Sequence, residues 1–169
     1  AHQARNASGA ACAAMALDVK LQGVADGLAN CVLPGMRARI ATHDGATWIN
    51  DAYNANPDSM KASIEWLSGF ADNAKLLLGL GDMRELGDSA LQSHVETLQF
   101  ALEKLPGARL VAVGSVMCEA VKQLQKKVPC YPDSSSASQA FQSLAKPGDT
   151  VFIKASRGTR LELLEPSTK

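Results

Sequence analysis

Aromatic residues make up only 5% of the chain, with 2 Trp, 2 Tyr and 4 Phe. A stacking platform for single-stranded nucleic acid needs a row of aromatic faces, so that class is excluded. There is no excess of either charge: 17 Lys+Arg stand against 17 Asp+Glu. A protein that grips nucleic acid through a broad basic surface is excluded as well, although one phosphate pocket needs only a few cations and backbone amides. The cysteines, Cys12, Cys31, Cys118 and Cys130, form no C-x-x-C pair, and the histidines, His2, His43 and His94, lie far apart in the sequence. A tetrahedral zinc site, which gathers ligands at short paired spacings, is not expected, and reduced cysteines of a cytoplasmic protein are. No apolar run reaches the roughly 18 residues of a membrane helix. The opening Ala-His-Gln-Ala-Arg-Asn is neither a signal peptide nor an initiating Met; it reads as the middle of a longer chain. Finally, no G-x-x-x-x-G-K-[ST] loop occurs, so ATP binding of that kind is incomplete within these residues.

What is present is ordinary globular composition: 169 residues, 46% hydrophobic and 20% charged. That suits one domain with an appendage, or two small ones. Residues 1–38 differ from the rest. Alanine, the best helix former, dominates residues 6–19 and predicts a closely packed helix. A second short helix is expected over residues 22–29, and Pro34-Gly35 then breaks the pattern. Two such helices make a poor core of their own, so they read as the tail of another domain or a cap on the second segment.

From residue 39 the pattern is that of an α/β domain. Residues 39–43 and 47–50 read as strands around an Asp44-Gly45 turn. Asn56-Pro57-Asp58 supplies a cap, a first-turn proline and a first-turn acid to a helix carrying Met60, Ile64 and Leu67. Residues 75–80, 110–113 and 151–153 are nearly continuous apolar runs, as expected of strands buried on both faces. A short strand is expected within residues 128–131, and Ser134-Ser135-Ser136 is read as a loop leading into a helix. Amphipathic helices fall between the strands, marked by Leu91, Val95, Leu98 and Leu102, then Ala120, Val121 and Leu124, then Phe141 and Leu144. This alternation predicts a Rossmann-like, mainly parallel sheet flanked by helices and preceded by the short helical tail.

Ligands of such sheets bind beyond the carboxyl ends of the strands. Four polar or glycine-rich turns fall there: residues 50–56, 79–87, 114–115 and 154–158. Asp51 can accept both hydroxyls of a ribose or bind a metal, or can be a plain turn residue. Asn54 and Asn56 can present amide edges to a base or make local cap bonds. Tyr53 can stack on a ring or be an ordinary half-buried aromatic. The 79–87 turn is not a dinucleotide fingerprint, because Arg84 stands where G-x-G-x-x-G needs glycine. It reads as a flexible loop whose Asp82 and Glu85 are solvated or face the crevice. Lys154-Ala155-Ser156-Arg157 puts two cations and a hydroxyl after a buried strand, suited to a carboxylate or phosphate. His94, on an apolar helix face, reads as structural.

These residues also carry a resemblance. Asp51-Ala52-Tyr53-Asn54-Ala55-Asn56-Pro57-Asp58-Ser59-Met60 resembles the signature of the Mur ligases, and best the branch that adds D-alanyl-D-alanine to UDP-N-acetylmuramoyl-tripeptide. Gly81-Asp82-Met83-Arg84-Glu85-Leu86-Gly87 is similar to that branch's G-D-M-x-E-L-G loop. Lys154-Ala155-Ser156-Arg157 is similar to its K-G-S-R, with Ala155 in place of glycine. His2 to Ala11 resembles the H-N-x-x-N helix that ends the family's central domain, with Gln3 departing from it. The resemblance implies that residues 1–38 are the last helices of a central ATPase domain and residues 39–169 a C-terminal Rossmann-like domain. It implies an ATP- and magnesium-dependent amide ligase of peptidoglycan precursor synthesis, working through an acyl phosphate in the cytoplasm. Its partners would be UDP-N-acetylmuramoyl-tripeptide, D-alanyl-D-alanine and the rest of its own chain, with no nucleic acid and no membrane span. By the same resemblance Asn6 contacts adenine, Arg37 (or Arg39, two residues on) reaches the nucleotide, and Asp51 holds the ribose. Tyr53, Asn54 and Asn56 line the pocket, and Lys154, Ser156 and Arg157 face the dipeptide or the growing peptide. No catalytic residue and no metal ligand is assigned here: the magnesium ligands are expected outside these residues, and this segment alone is expected to be inactive. Two alternatives remain: a receiver-type phosphoacceptor domain with Asp51 and Lys154 at its strand ends, and a noncatalytic module that docks through its alanine-rich helix.

Overall fold

The computed structural model describes residues 2–31, 38–70 and 72–166. The chain divides into two compact units, Ala1–Pro34 and Gly35–Lys169.

The first unit holds α1 (His2–Ala16) and α2 (Leu21–Ala29). The structure ends α1 earlier than the alanine content suggests. Asp18 turns left-handed at φ 61°, and the Val19 N–H returns to the Ala14 carbonyl at 3.1 Å. That is the backbone pattern that closes a helix, and alanine cannot signal it because it favours helix throughout.

The second unit is built on a six-stranded sheet of order β1-β2-β6-β3-β4-β5. Its strands are β1 (Arg39–His43), β2 (Ala46–Asp51), β3 (Leu76–Gly81), β4 (Arg109–Val113), β5 (Cys130–Tyr131) and β6 (Thr150–Lys154). β1 and β2 form an antiparallel hairpin with His43 opposite Ala46. Asp44 and Gly45 make its two-residue turn at φ 48° and 77°, both positive, as the primed turn that matches strand twist requires. All other pairings are parallel.

The helices are α3 (Pro57–Phe70), α4 (Ala90–Lys104), α5 (Ser115–Gln123) and α6 (Ser134–Leu144). The handedness of the crossovers decides which face each covers. From β2 to β3, β4 and β5 the chain steps one way across the sheet, whereas from β5 to β6 it steps back. Right-handed crossovers therefore place α3, α4 and α5 on one face and α6 on the other. The side chains agree. Leu76, Leu78 and Leu80 of β3 join Met60, Leu98 and Met117 of the three helices in one core. Leu77, Val111, Val113, Val151 and Ile153 join Trp48 and Phe141 in the second. Each fully buried side chain of this size contributes about 1.5–3 kcal/mol of transfer free energy. Both cores are continuous across the sheet, which is why β3, β4 and β6 carry the apolar runs.

The serines at 134–136 open α6 instead of preceding it. Asp133 caps that helix, its carboxylate accepting from Ser136 N–H at 2.8 Å, and this bond holds its carboxyl below the ordinary aspartate value. Serine favours a first turn as readily as a loop because its hydroxyl bonds locally; here Ser136 Oγ donates to the Asp133 carbonyl at 2.9 Å.

Candidate functional site

The site grows out of the carboxyl ends of β2, β6 and β3. β6 lies between β2 and β3; the chain leaves β2 and β3 toward α3 and α4 on one face, whereas the segment after β6 packs Leu161 and Leu164 on the other, so the turns diverge at β6 and leave a crevice there. The β2–β6 register sets Asp51 opposite Lys154. Lys154 Nζ donates to Asp51 Oδ2 at 2.5 Å and to the Asn54 carbonyl at 3.1 Å. The Lys154 side chain is 4% exposed and that of Asp51 21%. The second carboxylate oxygen, Asp51 Oδ1, accepts from Ala38 N–H at 3.2 Å. A carboxylate offers about four acceptor positions; bonds among the described residues use two, and the group is partly exposed.

The turn after β2 is held from within. Asn50 Oδ1 accepts from Ala52 N–H at 3.1 Å, and Asn54 Oδ1 accepts from Ala55 N–H at 2.9 Å. Asn56 Oδ1 accepts from Ser59 N–H at 2.8 Å, and Ser59 Oγ accepts from Asn56 N–H at 3.1 Å. This reciprocal cap starts α3 with Pro57 in its first turn. The amide oxygens of Asn54 and Asn56 are thus engaged locally, with their NH₂ groups still to offer. The Arg157 guanidinium carbon lies 5.8 Å from the centre of the Tyr53 ring, a cation–π contact joining the β2 and β6 turns.

Ser156 links three loops. It is 4% exposed; its Oγ accepts from Arg84 N–H at 2.9 Å and donates to the Ala55 carbonyl at 3.2 Å, while its N–H donates to the Asp82 carbonyl. The 79–87 turn is correspondingly tied down at its start, not flexible as the sequence suggested. Asp82 N–H donates to the Val113 carbonyl, and Met83 N–H donates to His94 Nε2 at 2.8 Å. The Asp82 carboxylate, 18% exposed, is engaged by backbone amides of α5. It accepts from Met117 N–H at 2.8 Å and Val116 N–H at 3.4 Å, capping α5 across the sheet edge. Gly114 makes room for it: a Cβ there would fall 2.3–2.5 Å from the Asp82 carboxylate.

His94 is fully buried. With Nε2 accepting from Met83 N–H, its Nδ1 carries the proton and donates to the Ala90 carbonyl at 2.7 Å. The sequence marked it as structural but gave no sign that it holds this loop. Glu165 is the other residue that sequence reasoning missed. Its buried carboxylate collects Arg39 at 2.6 Å, His43 at 3.1 Å and Asn50 at 2.8 Å. Through Asn50 it steadies the turn that carries Asp51.

Of the expected site residues, Asp51, Tyr53, Asn54, Lys154, Ser156 and Arg157 meet in this crevice, and Asn56 caps the helix that leaves it. Asn6 lies on α1 of the first unit. Arg37 lies outside the described residues, and Arg39 is paired with Glu165. Burial first, then the neighbouring Cys130, push the Cys118 thiol up to about 12, so it is no nucleophile at neutral pH. Among the described residues no three His, Cys, Asp or Glu gather as a metal site, and no helix is long and apolar enough to cross a membrane.

Known proteins resemble this chain throughout its length. The family described as Mur ligase, glutamate ligase domain, matches residues 36–157. The UDP-N-acetylmuramoyl-tripeptide–D-alanyl-D-alanine ligase of Bacillus subtilis is 36% identical over 166 residues, 95% of this chain and 36% of that protein. The chain likewise spans 36% of the length of the corresponding ligase of Treponema pallidum, at 30% identity over 98% of its own. A crystal structure of MurF from Acinetobacter baumannii superimposes with a TM-score of 0.76 at 28% identity, covering 96% of this chain and 36% of that one. The MurF ligase of Thermotoga maritima, solved in complex with ADP, has a TM-score of 0.65 at 26% identity and covers 90% of this chain and 34% of its own. These matches displace the receiver-domain alternative. With 122 consecutive positions, residues 36–157, under one family description, the chain belongs to the Mur ligase family through its glutamate ligase domain.

Proposed function

We propose that this chain supplies the C-terminal part of a cytoplasmic, ATP-dependent ligase that joins D-alanyl-D-alanine to UDP-N-acetylmuramoyl-tripeptide in peptidoglycan precursor synthesis. The observation that carries the reading is the Asp51–Lys154 pair at the divergent ends of β2 and β6, in a chain that resembles such ligases over 95% of its length. Residues 1–38 are read as the last helices of the central ATP-binding domain and residues 39–169 as the C-terminal domain. The phosphate-binding loop and the rest of the catalytic machinery belong to the part of the enzyme outside these 169 residues.

In this reading the tripeptide carboxylate attacks the γ-phosphate of ATP, giving an acyl phosphate and ADP. The dipeptide amine then attacks the acyl carbon, and phosphate leaves. Asp51 accepts the two ribose hydroxyls on its remaining acceptor positions, and Lys154 fixes its orientation. Asn6 meets the adenine, Arg37 reaches the nucleotide, and Tyr53, Asn54 and Asn56 line its pocket. Lys154 and Arg157 face the peptide side, with Ser156 holding their loop against Ala55 and Arg84. The strand-end carboxylates do not fit a magnesium ion, because Asp51 is bound to Lys154 and Asp82 to the α5 amides. We place the ion's ligands outside these residues.

The ribose role is tested in the full-length enzyme with Asp51→Asn, which keeps the shape and loses charge and acceptor strength. The KM for ATP should rise about tenfold, with the KM for the dipeptide unchanged. An unchanged KM for ATP contradicts the assignment.

A further inference from the structure

Arg84 occupies the position that the G-D-M-x-E-L-G pattern leaves open, and the structure gives it an unusual setting. The backbone beneath it is pinned: the N–H groups of Asp82, Met83 and Arg84 donate to Val113 O, His94 Nε2 and Ser156 Oγ. The guanidinium reaches to the β6 turn, where Nη2 donates to the Gly158 carbonyl at 3.3 Å. It packs directly against that residue, since a Cβ on Gly158 would fall 2.2–2.6 Å from its Cζ, Nε and Nη1. Glycine at 158 is what allows the approach.

The local charge balance then becomes the deciding fact. Arg39, Arg109 and Lys154 each have a carboxylate partner, Glu165, Asp149 and Asp51. Arg84 has none among the described residues, and neither has Arg157, whose guanidinium packs on Tyr53. The strand-end carboxylates Asp51 and Asp82 are committed elsewhere, to Lys154 and to the start of α5, and the adjacent Glu85 is exposed and forms no ion pair with Arg84. Two guanidinium groups without a carboxylate partner among the described residues thus stand on neighbouring turns, Arg84 after β3 and Arg157 after β6. A guanidinium has five donors in a rigid fork matched to a carboxylate, and Arg84 spends one of them on Gly158.

We propose that Arg84 binds the terminal carboxylate of the incoming dipeptide, beside Arg157. This rests on the ligase reading above and names a residue for amine-substrate recognition that the family pattern does not fix. The chemistry fits the substrate: once its amine is neutral and ready to attack, the dipeptide's one charge is that carboxylate. Fixing it at a rigid loop orients the amine toward the acyl group.

The test uses the full-length enzyme, intact and with Arg84→Met, which keeps the length and removes the charge. KM is measured separately for ATP, UDP-N-acetylmuramoyl-tripeptide and D-alanyl-D-alanine, and again with D-alanyl-D-alanine amide as the acceptor. The variant should raise the dipeptide KM about 10–100-fold and leave the other two KM values in place. With the amide acceptor, intact enzyme and variant should perform alike. Gly158→Ala, which displaces the guanidinium without deleting it, should reproduce the same selective rise. A dipeptide KM within twofold of the intact value overturns the proposal. So does an equal loss with acid and amide, or a rise confined to ATP or to the UDP-linked substrate, which would assign Arg84 to a phosphate or to another carboxylate. Absence of any dipeptide-dependent turnover in the intact enzyme overturns the ligase reading itself, and is told apart because it needs no variant.

Discussion

A buried ammonium must have a carboxylate beside it, and Lys154, 4% exposed, has Asp51 at 2.5 Å. Removing the partner leaves the charge stranded. Asp51→Ala should cost about 2–3 kcal/mol, somewhat below the usual figure for a fully buried pair because Asp51 is partly exposed. Adding Lys154→Met should restore most of the loss, because no unpaired charge then remains. Urea unfolding of the three proteins checks this, and a double variant less stable than Asp51→Ala would contradict it. The sequence placed both residues at strand ends, Lys154 after an apolar run and Asp51 after the second strand of the Asp44-Gly45 hairpin. Their pairing was not legible, since it depends on β6 lying next to β2, a register between positions 103 residues apart. Glu165 was less legible still. Its partners Arg39, His43 and Asn50 lie more than a hundred residues away, and no local pattern marks a carboxylate as buried.

At the scale of elements, the loops are fixed by helix ends. Asp82 leaves β3 and caps α5, with Gly114 directly beneath its carboxylate. Gly114 has φ 115°, a conformation strained for any other residue. Gly114→Ala should therefore destabilise the protein by about 2–4 kcal/mol, combining backbone strain with loss of the cap. Thermal unfolding of the variant checks this, and a melting temperature equal to that of the parent would contradict it. Such coupling explains which elements the sequence revealed. Strands β3, β4 and β6 and helices α3 and α4 follow from apolar periodicity and from caps such as Asn56-Pro57. The state of the 79–87 turn does not, because its rigidity comes from His94, Ser156 and Val113 on three other segments. Ala155, the departure from the K-G-S-R pattern, is likewise explained only in three dimensions. Its methyl fills space opposite Gly81, where a second Cβ would come within 2.7 Å.

At the scale of the whole molecule, the return of the last strand to the middle of the sheet creates the crevice. The alternation of strands and helices predicted parallel βαβ units, and the apolar run of β6 predicted an interior strand. Neither says between which neighbours it inserts, and the order β2-β6-β3 is what brings Asp51, Lys154, Ser156 and Arg84 to one edge. The grouping gives the family resemblance physical content: residues from motifs about a hundred positions apart face one opening. In the proposed reading this opening serves amide-bond formation when joined to a phosphate-binding domain. That reading is decided by phosphate release from ATP with UDP-N-acetylmuramoyl-tripeptide, with and without D-alanyl-D-alanine, by the full-length enzyme and by the 169-residue chain alone. Dipeptide-dependent release by the full-length enzyme and none by the 169-residue chain is the predicted result. Turnover by the 169 residues alone, or no release from a folded full-length enzyme, would contradict it.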